Sequence, residues 1–505
     1  MQDLFISISK YIFIILIAFF VYFSFLLMRD KNGKIAKSAL AIQSMMMYLF
    51  HMVAFIVLFL STNENTIIIF YGAQLVFFII YRGMHDVFYG KKYSKGLMNN
   101  MCMLLAISFV MLTRLYYDKA VKQFFIICVA SVVALIIPFI VKKYNELSNM
   151  TYFYCFAGIA FLSAVLIIGQ ISGGAKLSVS IAGFYFQPSE FVKILYVFFL
   201  AAFLNKSTVF KRVLISAFFA GFHVIILVLS RDLGSALIFF MVYVVMVYIA
   251  TGKSRYLLAG GIGGSAAAMI GYKLFSHIRV RVQAFIDPWS FIETGGYQVA
   301  QSLFAIGTGG FFGLGLYKGM PKTIPIVEQD FMFSAISEEL GGFFAIFLIM
   351  LCMSCFMYFI KSALKQSIMF YKLIGVGMSI TYAVQTILTI GGAIKFIPST
   401  GVTLPLVSYG GSSVLCTMIT FAILQGLFIR AEEERMQNEE LKNERNNMDK
   451  HNNDKKSNDK HKSNKQKAEK YNDMTNKSKK QNQIKKSKNY NHVIKQDNSK
   501  EIKLM

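Results

Sequence analysis

VEQDFMFSAISEELGGFFAIFLIMLCMSCFMYFI, residues 327–360, sets four carboxylates, Glu328, Asp330, Glu338 and Glu339, directly before an uncharged run over 340–360. A bilayer core about 30 Å thick takes about 20 apolar residues per helix. Runs of this kind recur near 10–28, 39–60, 66–82, 99–114, 124–141, 152–170, 190–205, 213–229, 233–250, 256–275, 371–393 and 412–429, in a chain of 505 residues that is 55% hydrophobic and 15% aromatic. The fold expected is an all-α polytopic membrane protein, with the acids of 327–339 at a membrane boundary.

Basic residues favour the cytoplasmic side of short loops. Arg29, Lys31, Lys34 and Lys37 follow the first run, STNENT after the second has no base, and the alternation continues through Arg82, Lys91, Lys92 and Lys95, then Lys142 and Lys143, then Lys206, Lys211 and Arg212, then Lys253 and Arg255, then Lys361, Lys365 and Lys372. This predicts an external N-terminus and a cytoplasmic C-terminus. The segment before the first run carries a single Lys and no small-residue cleavage site follows the run, so it is expected to stay as a helix. All six cysteines fall in apolar runs, where they act as small packing residues and indicate no disulfide framework.

From Ala431 the chain becomes polar, with 20 basic and 13 acidic residues and no Pro. Such a segment buries too little apolar surface to order itself, so 431–505 is expected to be a disordered cytoplasmic tail, with AEEERMQNEELKNER extending the last helix. Its basic excess suits anionic membrane lipids. Its interleaved acids and lack of aromatic spacing argue against nucleic acid.

Upstream of the tail, Asp30, Asp86 and Glu146 fall inside and the other acids on or near the outside. None lies at the middle of a span, where coupled transporters carry ionisable groups. The external segment 276–339 is too long for a connector. FIDPWSFI, GGYQVAQSLFAIGTGG and FFGLGLYKGMP are apolar enough to lie on the membrane, with Trp289 as an interfacial anchor. GTGGFFGLG follows no strand, so its glycines are expected to serve close backbone packing rather than phosphate binding. SGGAKLSVSIAGFYFQPSEFVKI puts Pro188 in a first helical turn, with Glu190 and Lys193 on one face. KFIPSTGVTLPLVSYGGSS reads as irregular backbone, tolerated in membranes only where protein or water satisfies it. Three such external stretches predict an outward-facing cavity. By position alone, Asp330 reads as a helix N-cap, with Glu338 and Glu339 favoured by the dipole of the first turns.

FQPSEFVK, DLGSAL, FIDPW with GGYQVAQSLFAIGTGG, QDFMFSAISEELG and IPSTGVTLPLVSYGGSS resemble, in order and spacing, the motifs of the SEDS proteins (shape, elongation, division and sporulation), which include the RodA and FtsW groups. The resemblance covers roughly 98–430. It implies a ten-helix SEDS-like glycosyltransferase core at 98–430, about three additional N-terminal transmembrane helices in 1–97, and the tail at 431–505. It further implies a multi-pass protein of the bacterial cytoplasmic membrane that polymerises lipid II into peptidoglycan strands on the outer face, beside a class B penicillin-binding protein.

By the same resemblance, Asp330 falls on the proposed catalytic acid, and Glu190, Lys193, Arg281, Gln298, Gln301, Glu328, Ser408 and Tyr409 are the expected substrate-binding residues. The chemistry needs a base for the acceptor hydroxyl, and cations where the diphosphate leaves, Lys193 and Arg281 being the candidates. A divalent cation, magnesium or manganese, is compatible with a diphosphate substrate, and no residue is assigned to hold it. Two departures stand out: IPIVEQDF has Ile326 where the family often has Glu and Gln329 for its Thr, and AKLSVSI lacks the Arg-Trp pair common before QPSE. A precursor flippase and a non-catalytic scaffold are the alternative functions.

Overall fold

The computed structural model describes residues 2–29, 36–90, 92–143, 145–172, 175–181 and 184–497. The helices run in the order α1 (Gln2–Arg29), α2 (Ala36–Thr62), α3 (Asn65–Tyr89), α4 (Lys95–Leu115), α5 (Tyr117–Lys143) and α6 (Thr151–Ile168). Three short strands follow, β1 (Gln170–Ser172), β2 (Ala175–Ile181) and β3 (Phe184–Phe186), then α7 (Pro188–Lys206), α8 (Phe210–Leu229), α9 (Leu233–Thr251) and α10 (Arg255–Leu274). The external segment supplies α11 (Ser276–Ile286), α12 (Tyr297–Gly309) and α13 (Met332–Leu340), and the chain closes with α14 (Gly342–Leu364), α15 (Met369–Ala393) and α16 (Gly411–Asp497).

Among the described residues, 11 helices are long and apolar enough to cross a membrane: α1 to α5, α7 to α9, and α14 to α16. The thirteen apolar runs all form helices. The two outside the eleven are α6, shorter in its apolar stretch, and α10, whose composition is diluted by the glycines of GGIGG. Those glycines have a packing use. A Cβ on Gly260 would lie 2.7 Å from Val244 and one on Gly264 2.8 Å from Phe240, so α10 approaches α9 through a small-residue face.

The additional N-terminal helices are integral to the bundle. α1 packs on α2 and α14, α2 on α4, and α3 on α5. Ser24 Oγ donates to Asn100 Oδ1 at 3.0 Å and lies 2.5 Å from Ser354 Oγ; Asn100 Nδ2 donates to Ser354 at 2.8 Å, and Gln43 donates to Asn100 at 3.1 Å. These groups are buried together, as polar side chains in lipid must be.

β1 to β3 form an antiparallel meander with Gln170 opposite Ser178 and Val179 opposite Phe186. The alternation of Leu177, Val179 and Ile181 with Lys176, Ser178 and Ser180 is its sequence signal. Over the tail, α16 continues to Asp497. With neither Gly nor Pro after Gly426, nothing interrupts the helix. The side chains from Gln437 to Asp449 are exposed, so local hydrogen bonds and pairs such as Arg435 with Glu439 sustain that stretch without an apolar face.

Candidate active site

The glycine-rich stretch positions everything after it. The N–H groups of Leu314 and Gly315 donate to the carbonyls of Glu338 and Glu339 at 2.9 Å, and those of Gly342 and Phe343 to Gly310 and Phe311 at 2.8 and 3.1 Å. A Cβ on Gly313, at φ +76°, would meet Glu339 O at 2.4 Å. The glycines therefore serve close backbone contact, clasping the loop onto the α13–α14 junction.

The four carboxylates of 327–339 divide into two pairs. Glu338 and Glu339 lie in the last turn of α13, not in a first turn. The helix dipole is unfavourable to acids there, and other groups hold them. Arg114 of α4 donates to Glu339 Oε1 at 2.9 Å and to Gly319 O at 3.0 Å, while its guanidinium covers the Tyr317 ring at 4.1 Å. The N–H of Gly319 donates to Glu339 at 3.3 Å and that of Met320 to Glu338 at 2.8 Å. Burial pushes the Glu339 carboxyl up to about 7 against the pull of Arg114, and burial likewise raises Glu338.

Asp330 is placed differently. The residue flanking the start of α13 is Phe331, and no side-chain cap bond forms there, so Asp330 is not its N-cap. Among the described residues no protein group donates a hydrogen bond to the Asp330 carboxylate. A Cβ added to Gly401, at φ +76°, would lie 3.5 Å from Arg281 Nη2 and 3.6 Å from Asp330 Oδ2, so α11, the 324–331 segment and the 394–410 loop converge at one point. Arg281 is held by donating to Ser399 O at 2.7 Å. Burial is the main force on Asp330, pushing its carboxyl up to about 6; Arg281 pulls it down and Glu328 pushes it further up. Burial likewise lowers Arg281, against the attraction of Asp330 and Asp232.

Glu328 has partners of its own. Its side chain receives Lys119 of α5 at 2.5 Å, and its carbonyl accepts from the N–H of Tyr409 at 2.7 Å, tying the Asp330 segment to the VSYGG turn. Lys119 also lies over the Tyr116 ring at 4.4 Å and the Tyr409 ring at 5.7 Å.

Of the residues expected at the site, Asp330, Arg281, Glu328 and Tyr409 therefore gather. Glu190 and Lys193 form a buried pair 2.8 Å apart at the start of α7, and Lys193 donates to Gln385 at 2.8 Å. They line a cavity of about 20 Å³ with Tyr382, Pro405 and Thr417, room for about one water. Ser408 is a buried turn residue: its hydroxyl accepts from Leu404 N–H at 3.1 Å and its carbonyl from Gln123 at 3.1 Å. Gln298 and Gln301 are partly buried on α12, with no hydrogen bond linking them to Asp330. Sequence reading missed Lys119, Arg114 and Asp232, the last capping α9 through Ser235 N–H at 3.0 Å and accepting from Ser189 at 2.8 Å. Asp232 was visible only as part of DLGSAL; Lys119 and Arg114 carry no local signal. Among the described residues no group of three or more His, Cys, Asp or Glu is placed to hold a metal on side chains alone, whereas an ion bound mainly through a diphosphate needs only one or two carboxylates.

Residues 92–433 match the family model FtsW/RodA/SpoVE, described as cell cycle protein. The chain is 35% identical over 316 residues to peptidoglycan glycosyltransferase RodA of Mycobacterium tuberculosis, covering 58% of this chain and 66% of that relative, just under two thirds of its length. It is 32% identical over 321 residues to the probable peptidoglycan glycosyltransferase FtsW of Tolumonas auensis, covering 61% and 82%, and 32% identical over 279 residues to stage V sporulation protein E of Bacillus subtilis, covering 53% and 76%. Among solved structures it resembles a chain of a peptidoglycan synthase complex that coordinates polymerization and crosslinking, with TM-score 0.57, 25% identity and coverage of 68% and 99%. RodA of Thermus thermophilus shares the fold, with TM-score 0.51, 23% identity and coverage of 66% and 96%. With its matched region spanning more than half its length, the chain belongs to the FtsW/RodA/SpoVE family.

Proposed function

We propose that this protein is a peptidoglycan glycosyltransferase that polymerises lipid II on the outer face of the bacterial cytoplasmic membrane, with Asp330 as general base. The carrying observation is Asp330 itself: partly buried, raised to about 6, without a hydrogen-bond donor among the described residues, and facing Arg281 across Gly401. A carboxylate that already accepts protein N–H groups is a poor base; one left open and poised near neutrality is a good one. Asp330 takes the proton of the acceptor sugar hydroxyl as its oxygen bonds to the donor C1. The C1–phosphate bond breaks with inversion, and polyprenyl diphosphate leaves. Arg281, fixed by Ser399, offers charge to the departing diphosphate. Lys193 is already engaged by Glu190 and Gln385, so it acts as a structural cation.

The basic-loop alternation supports an external N-terminus and cytoplasmic C-terminus, with Asp330 on the outside. The synthase complex that this chain resembles supports a class B penicillin-binding protein as partner. The test is polymerisation of lipid II by purified protein, alone and with that partner. Asp330→Asn should lose polymerisation by about 10² to 10⁴-fold while keeping its thermal midpoint. Near-wild-type polymerisation by that variant would overturn the assignment; wild-type translocation of lipid II in proteoliposomes without polymer would favour a flippase, and a silent Asp330→Ala would favour a scaffold.

A further inference from the structure

Residues 1–91 lie outside the family match, yet the N-terminal end of α1 touches the loop that leads to Asp330. Lys10 Nζ donates to Gly313 O at 3.0 Å across a sequence separation of 303. Tyr11 and Phe312 pack with ring centroids 5.5 Å apart, a Cβ on Gly315 would lie 3.7 Å from Ile6 O, and Asp3 pairs with Lys318 at 2.7 Å. The same short segment is also bound to the α13–α14 junction through Leu314 and Gly315, and to α4 through Arg114 and Gly319. α1 is itself fixed by packing on α14 and by the Ser24–Asn100–Ser354 network.

We infer that α1 is a brace for the active-site loop, with Lys10 as a positioning residue that holds 310–320 against α13 and so sets where Asp330 stands. The inference rests on the glycan-polymerising reading above. Of the polar contacts, Asp3 with Lys318 is solvent-exposed and contributes little; Lys10 to the Gly313 carbonyl is part-buried and charge-assisted, and it decides the register. Lys10 touches no reacting group, so its effect runs through geometry, to which reactions of this kind are sensitive.

Full-length wild type and the variants Lys10→Leu, Lys10→Arg and Ile15→Ala are compared in lipid nanodiscs, with lipid II as substrate and amide hydrogen exchange read at Leu314 and Gly315. Wild-type polymerisation, measured first, tests the underlying reading on its own. Lys10→Leu is expected to lower kcat about tenfold with KM little changed and to speed exchange at both amides, Lys10→Arg to restore both, and the lipid-facing Ile15→Ala to alter neither. Where the wild type polymerises, unchanged kcat in Lys10→Leu, or a lowered kcat without faster exchange, would overturn the brace; unchanged exchange at both amides would overturn it whatever the activity of the wild type.

Discussion

The two ends of VEQDFMFSAISEE carry the same chemical group in opposite states. At Glu339, burial raises the carboxyl to about 7, and Arg114 and a backbone N–H engage one oxygen, Oε1, directly, while Oε2 is buried without a partner among the described residues. At Asp330, burial raises the carboxyl to about 6, the arginine stands off, and no donor among the described residues fills it. Raised proton affinity alone does not separate a working acid from a structural one; direct engagement by a buried cation does. A carboxylate tied to a guanidinium holds the fold, whereas one left open can receive a substrate proton.

The largest effects should break this contrast at its two poles. Asp330→Asn is expected to lower polymerisation by about 10² to 10⁴-fold, the usual contribution of a general base, without shifting the thermal midpoint. Glu339→Ala is expected to do the reverse, destabilising the fold by about 3–5 kcal/mol in thermal unfolding because Arg114 is left buried and unpaired. If Glu339→Ala kept the stability and lost only kcat, the two ends would have to exchange roles.

Smaller effects should sharpen it. A base raised to about 6 must be ionised to act, so wild-type kcat/KM should fall about tenfold per pH unit below that value and level off above it. Arg281 lowers the Asp330 carboxyl, so Arg281→Gln should move this acid limb to higher pH; Glu328 raises it, so Glu328→Gln should move it to lower pH. A pH–rate series that shifts both variants in one direction would contradict the arrangement. Lys119→Met should cost about 1–3 kcal/mol in thermal unfolding, less than Glu339→Ala because Lys119 is itself part-exposed, but measurable because it leaves the buried Glu328 carboxylate without its partner.

Much of this was legible in the sequence. The apolar runs located the spanning helices because lipid admits little else, and GTGGFFGLG read correctly as close-packing backbone because no strand preceded it. Asp330 stood out through its motif. Its partners did not: Lys119 and Arg114 meet Glu328 and Glu339 across separations of 209 and 225 residues, and no local period encodes such a contact. Glu338 and Glu339 were assigned to the wrong end of a helix because Gly341 divides α13 from α14 there, through a positive φ of 93°. The small meander before α7 was readable in the alternation of AKLSVSI, which the surrounding glycines obscured.

The buried serine and asparagine network also sets an order of assembly. Ser24 meets Ser354 only after 330 further residues have been made, an interval of roughly 15 to 65 s at common synthesis rates. During that time Ser24, Gln43 and Asn100 can already satisfy one another across α1, α2 and α4. The early helices can thus wait in the bilayer as a pre-assembled group, and the arrival of α14 closes the network behind them.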